Sequence, residues 1–194
     1  MQMNTTARAY HHGNLKQALI TAGIALLEEQ GLPALSLRAI SARVGVSHTA
    51  PKNHFGSLRG LLTAIATEGF RRHAAFMQAG VSDLSEPKAR LHAAMEGYVR
   101  FASDHPALFS LMFSKEHCEM TDPSLRAAGA ESYAVLAGIA RGLDWDKADA
   151  PDAQRRTELL LWSIVHGYAE LSIAGFAQDN LPIAAIMPDF RYRA

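Results

Sequence analysis

Residues 36–55, SLRAISARVGVSHTAPKNHF, constrain the fold of this chain more than any other stretch. Leu37, Ile40 and Val44 recur at helical spacing behind Ser36, whose hydroxyl suits an N-cap. Gly45 permits a turn after them, and Val46 points back towards a core. Ser47 then reads as the cap of a short second helix, with Pro51 near its first turn, where the backbone N–H has no intrahelical acceptor anyway. Two short helices, the second polar and basic, have the form of a helix-turn-helix. The rest of the chain must explain what such a unit is for.

The segment in front of it supplies a support. Leu15, Leu19, Ala22 and Leu26 lie on one helical stripe, widened by Ile24 and Leu27, and Gln30-Gly31 ends it. His48, Thr49, Lys52, Asn53 and His54 are left as polar groups around the short helix, with Phe55 and Ala50 docking it. Residues 1–13 lack apolar periodicity and read as a flexible arm from which Arg8 reaches a phosphate or a minor groove. The pair His11-His12 suggests a metal but has no third ligand at a convincing spacing. Charge agrees with this division. The formal net charge is zero, yet residues 1–77 hold eight Lys/Arg against three acids, and residues 78–194 hold eleven against sixteen. A basic head on an acidic body favours a polyanionic partner for the head alone.

Beyond the head the pattern stays helical. A fourth helix is predicted from Leu58 to about Gly80, and Ser82–Pro87 is the best domain boundary, separating a head of 14–80 from a body of 88–194. Further helices are predicted over 88–103, 107–113, 123–141 and 153–177, with a short one in 182–190. No alternating apolar run marks a β-rich region, so the predicted class is all-α. The longest charge-poor stretch, 159–178, still carries His166 and Glu170, which argues against a membrane span. A polar N-terminus without an apolar run and a single cysteine, Cys118, make a cytoplasmic chain without disulfides the expectation.

At this point residues 15–65 resemble the DNA-binding domain of TetR-type repressors. The matching features are LKQALITAGIALLEEQGLPALSLRAISARVGVS, the short helix closing in His54-Phe55, and GSLRGLLTAI after it. The segment LLWSIVHGYAEL at 160–171 is similar to the Trp-His-Gly motif of one TetR/AcrR subgroup, and SHTAPKNHF resembles that subgroup's recognition helix. The resemblance implies a dimeric transcription regulator, usually a repressor, with a three-helix reader of double-stranded DNA and a larger helical effector domain. Carried over by position, Arg38, His48, Thr49, Lys52 and His54 touch base edges or phosphates. Two positions depart from the pattern: Lys52 stands where the family usually has tyrosine, and Leu58 where it usually has lysine. Lys52 supplies a cation instead, and Arg59 is the nearest substitute for the second one. The predicted DNA-binding set is therefore Arg38, Ser47, His48, Thr49, Lys52, Asn53 and His54.

The body is expected to hold a small, apolar or amphipathic effector. Met95, Tyr98, Phe101, Phe109, Met112, Phe113, Tyr133 and Trp162 form an aromatic and methionine-rich set suited to a pocket, with His166 as a polar handle. The same residues also suit a plain helical core. Leu160, Ile164, Gly167, Leu171 and Ala174 form a second stripe on the 153–177 helix and are the predicted homodimer contact, on a helix that needs burial on more than one side. His166 and Glu170, four residues apart, are placed to pair. No cofactor is implied. The alternatives are a protein-interaction module that uses the basic head for assembly, and a hydrolase centred on Cys118 in His117-Cys118-Glu119.

Overall fold

The computed structural model describes residues 12–81, 83–144, 151–176 and 181–192. Helix α1 (His12–Gln30), α2 (Leu37–Val44) and α3 (Ala50–Phe55) form the head, and α4 (Leu58–Gln78) leads out of it. The body contains α5 (Pro87–Asp104), α6 (Pro106–Met112), α7 (Pro123–Ala140), α8 (Ala153–Ile173) and a single turn, α9 (Ile183–Ile186). The predicted arm, with Arg8 and His11, lies outside the described residues.

Local chemistry explains most of these boundaries. The Ser36 hydroxyl accepts from Ala39 N at 3.1 Å, and Gly45 closes α2 at φ 75°. Ser57 caps α4 through Gly60 N at 3.0 Å. Asp122 accepts from both Ser124 N and Leu125 N at the start of α7. Pro87, Pro106 and Pro123 each occupy a first turn, where the missing N–H costs nothing.

Helix α4 is the spine of the molecule. Its first half packs Leu61 and Ile65, both fully buried, against Leu19 and Ile40 of the head, and its second half enters the body. Two glycines set how close the body helices come. A Cβ at Gly69 would lie 2.8 Å from Met112 of α6, and one at Gly97 would lie 2.3 Å from the Phe76 carbonyl oxygen. Head and body therefore share one continuous apolar cluster running from Leu19 to Phe190.

Three expectations need correction. Ser47 does not cap α3; the helix begins at Ala50, and the Ser47 hydroxyl instead meets that of Thr49 at 3.1 Å. Pro51, not Ala50, is the buried anchor of α3. α8 ends at Ile173, and residues 182–190 hold only the one-turn α9. The otherwise all-α chain also contains a minimal antiparallel pair, β1 (Leu143–Asp144) with β2 (Arg191–Tyr192), in which Leu143 faces Tyr192. Two residues are too few to show alternation, which is why no pattern marks them.

Candidate nucleic-acid interface and ligand cavity

The turn after α2 and the outer side of α3 form one polar surface. Arg38, Ser47, His48, Thr49, Lys52 and Asn53 are exposed, whereas His54 is half-buried beside Phe55. Underneath, Pro51 is buried and Phe55 is half-buried, with the Lys16 ammonium 6.0 Å from its ring centre. A rigid apolar base under exposed, hydrogen-bonding side chains is what reading a groove requires.

The other cations of the head are committed elsewhere. Arg43 holds Glu29 with two hydrogen bonds of 2.7 and 2.5 Å. Arg71 and Arg72 flank Glu68. Arg59, the substitute for a phosphate clamp beside Leu58, turns away from α3: it donates to the Cys118 carbonyl at 2.8 Å and lies 3.7 Å from Glu119. Among the described residues, Lys16, Arg38 and Lys52 form no ion pair; Lys16 lies beside the Phe55 ring on α1, so Arg38 and Lys52 are the cations that the turn and the outer side of α3 offer to phosphates or bases.

A cavity of about 380 Å³ opens between α4, α5, α7 and α8. Of the nine predicted pocket residues, Tyr98, Phe113, Tyr133 and Trp162 line it. Met95, Phe101, Phe109 and Met112 do not; each is fully buried core, because their helix faces meet neighbouring helices rather than the gap. His166 stands behind the wall, its Nδ1 2.9 Å from the Tyr98 hydroxyl and its ring 4.6 Å from that of Phe113. The anticipated partner, Glu170, is only at ion-pair distance, 3.9 Å. Burial lowers the His166 pKa and outweighs the opposing pull of Glu170. Burial likewise pushes the Tyr98 phenol up.

The unforeseen part of the lining comes from α4 and α7. Phe70, His73 and Met77 project from α4, and Ser132 and Leu136 from α7. His73 is 2% exposed, and its Nδ1 lies 2.8 Å from the Ser132 hydroxyl. Burial holds its pKa down at about 3, with the nearby His166 adding to the effect, so the ring is neutral. His73 follows Gly69 by four residues and Met77 follows it by four, a spacing that puts it on the buried stripe of α4. The adjacent Arg71-Arg72 obscures this in the sequence. At the rim Tyr133 donates to Glu158 at 2.6 Å; Arg155 reaches both. Burial and the Glu158 carboxylate push the Tyr133 phenol up to about 12, against the opposing pull of Arg155.

A larger cleft, about 550 Å³, separates the head from the start of α7, but its walls carry Lys16, Arg59, Arg71, Glu119 and Asp122. Charged walls of both signs suit water better than an apolar ligand, so the smaller cavity is the better site. Cys118 offers no nucleophile. It is fully buried, its Sγ contacts the Leu111 carbonyl at 3.5 Å, and burial raises its pKa to about 11.

On α8 the buried stripe is Thr157, Leu161, Val165 and Ala169. The predicted dimer stripe faces outward beside it. Leu160, Ile164 and Gly167 are half-buried, Ala174 is exposed, Leu171 is 52% exposed, and Phe176, just beyond the helix, is 81% exposed. A Cβ at Gly167 would meet nothing within 4 Å.

Comparison with known proteins agrees with this architecture. Residues 19–65 match the bacterial regulatory proteins of the tetR family, and residues 91–187 match the tetracyclin repressor-like C-terminal domain. A solved structure from Rhodococcus sp. RHA1, described as a protein with unknown function, is 32% identical, with 91% of each chain covered and a TM-score of 0.74. A TetR family transcription regulator from Marinobacter aquaeolei VT8 shares the fold at 14% identity, with 88% of this chain and 90% of that one covered and a TM-score of 0.64. A structure described as the putative regulatory protein SCO4313 is 22% identical over 92% of this chain and 94% of that one, with a TM-score of 0.68. No curated protein matches the chain. Among the described residues no helix is long and apolar enough to cross a membrane. With both of its parts matched in their expected order, the chain belongs to the TetR family of bacterial regulatory proteins.

Proposed function

We propose that this protein is a ligand-responsive transcription regulator, a repressor that binds a near-palindromic operator as a homodimer and leaves it when a small apolar or amphipathic effector enters the cavity. In this reading α3 enters the major groove, Arg38, His48 and Thr49 contact base edges, and Lys52, Asn53 and His54 position the backbone. Ser47, which holds Thr49, orients the turn. Two heads related by a two-fold axis would read half-sites about 34–36 Å apart or a multiple of that spacing. The outward stripe of α8 with Leu171, continued by Phe176, is the surface that a second copy would cover.

The observation that carries the proposal is a set of polar contacts tying the head to the cavity wall. The Glu28 carboxylate of α1 accepts from Leu108 N, at the start of α6, at 3.0 Å. From α4, Thr63 Oγ1 accepts from Glu119 N at 2.9 Å, and Arg59 grips the Cys118 carbonyl. Phe113, directly after α6, lines the cavity. A molecule that displaces Phe113 thus moves a helix whose first turn is bonded to the head. A shift assay on the DNA flanking the protein's own gene, repeated with candidate effectors, tests the proposal. Specific, tight binding by a monomer, or no specific binding at all, would refute it.

A further inference from the structure

Among the described residues, the cavity wall carries a single charged side chain. Phe70, Tyr98, Phe113, Leu136 and Trp162 give it an aromatic and aliphatic lining, and His73, the other basic residue there, is neutral. Arg155, in the first turn of α8, is the lining residue with a formal charge, and a guanidinium keeps that charge at any ordinary pH.

Arg155 stands at the mouth. Its side chain is 57% exposed, and its guanidinium carbon lies 5.2 Å from the centre of the Tyr133 ring, itself part of the lining. Its contacts run through one nitrogen: Nη1 donates to the Tyr133 hydroxyl and lies 3.4 Å from Glu158 Oε2. Nη2 and Nε have no partner among the described residues. Glu158, which is not on the cavity wall, does not depend on this pairing. Its Oε2 accepts from the Tyr133 hydroxyl at 2.6 Å and its Oε1 from Gln154 Nε2 at 3.0 Å. The Arg155 contact is the longest of the three, and an exposed ion pair of that kind contributes little. The guanidinium can therefore turn its free edge to a second acceptor while Glu158 keeps its two shorter bonds.

A planar fork of N–H donors takes a carboxylate through two parallel bonds, a match that an amide oxygen does not offer. At an exposed mouth the carboxylate keeps part of its hydration, so the cost of burying a charge is largely avoided. A cation would meet the guanidinium as a like charge. The volume of about 380 Å³ holds about a dozen non-hydrogen atoms at water's share of about 30 Å³ each.

We infer that the molecule recognised here is an amphipathic monocarboxylate, with an apolar, ring-bearing body of about 10 non-hydrogen atoms inside the cavity and its carboxylate at the mouth on Arg155. The inference rests on the regulator reading only in calling that molecule an effector; its chemistry comes from the cavity.

The test uses the full-length protein without DNA and two sets of probes matched in shape but not in charge: naphthoate, naphthamide and naphthylmethylammonium, then the more flexible phenylpropionate, phenylpropionamide and phenylpropylammonium. Calorimetry at low salt measures each affinity. In at least one set the carboxylate should bind about 5-fold or more tighter than the amide, with the ammonium weakest. Arg155→Gln, which keeps a donor but loses the charge, should bring the ratio of carboxylate to amide affinity to about one, and Arg155→Lys, which keeps the charge but loses the fork, should lie between. A Cβ at Gly129 would lie 4.0 Å from the Phe70 ring, so Gly129→Leu should fill the cavity and weaken carboxylate and amide alike. Equal affinities for carboxylate and amide in the unmodified protein, tightest binding by the ammonium, an undiminished ratio in either Arg155 variant, unchanged carboxylate binding in Gly129→Leu, or no carboxylate binding in either set would each overturn the inference. A shift assay on the same preparation separates the two claims. Carboxylate preference without DNA binding refutes the regulator reading alone, and DNA binding with equal probe affinities refutes this inference alone.

Discussion

The contact between Glu28 and α6 can be tested as an energetic and a mechanical link. His105 precedes α6 but makes no side-chain cap, so the first N–H groups of this short helix depend on what other elements provide. Glu28, half-buried on α1, supplies a carboxylate at 3.0 Å from Leu108 N. A carboxylate at a helix N-terminus contributes about 0.3–1 kcal/mol through the dipole, and up to about 2 kcal/mol when partly buried. Half-burial and a direct hydrogen bond place the loss on Glu28→Ala at about 1–2 kcal/mol, a fall of about 2–8 °C in melting temperature for a chain of this size. Glu28→Gln keeps an acceptor oxygen but loses the charge, so it should lose about half as much. Thermal melts of the three proteins at low salt measure this directly. The same variants, taken through a DNA-binding titration with and without a cavity ligand, should show a weakened effect of ligand on DNA affinity in Glu28→Ala while ligand affinity itself holds. Unchanged melting of Glu28→Ala would refute the capping argument, and full ligand control of DNA binding in that variant would refute the coupling argument.

Other consequences are equally direct. Lys52→Ala should weaken binding to all DNA sequences and flatten the plot of log K against log salt by about 0.9 for each phosphate that the lysine neutralises, measured by fluorescence anisotropy; an unchanged slope contradicts a phosphate role. Leu171→Asp, at a side chain 52% exposed in one copy, should shift the sedimenting species towards monomer and abolish tight operator binding while leaving helical content intact. Ser132→Ala alone should cost about 1–3 kcal/mol by leaving His73 Nδ1 buried without its partner, whereas His73→Phe combined with Ser132→Ala should cost less, as urea melts would show. His73 also sets a pH dependence. Its folded pKa of about 3 lies below the ordinary value of 6.5, so the unfolded chain takes up the proton first and stability falls as pH drops below 6.5. Between pH 7 and pH 5 this amounts to about 2 kcal/mol, with His166, also lowered, acting in the same direction; the double variant should show a shallower decline in denaturation midpoint.

The sequence by itself determined most of the helix boundaries. Ser36, Gly45, Ser57, Asp122 and the three first-turn prolines act within a few residues of where they stand, so the chemistry that starts and stops a helix is local and legible. The exposure of Arg38, His48, Thr49 and Lys52 follows from the same local pattern. Only the tertiary structure decided which apolar side chains border space and which fill it. Tyr98 and Phe101 sit on one helix and are both buried, yet only Tyr98 reaches the cavity, because that depends on how α5 meets α4, α7 and α8. The pairings that define the site join distant residues: His73 with Ser132, Tyr98 with His166, Arg59 with the Cys118 carbonyl. Arg59 has the sequence position of a spare cation for DNA, and packing makes it a tether to the body. His73 stands beside two arginines in the chain, and packing makes it a neutral, buried wall of the cavity. In each case periodicity specified a face of a helix, and packing decided what that face would touch.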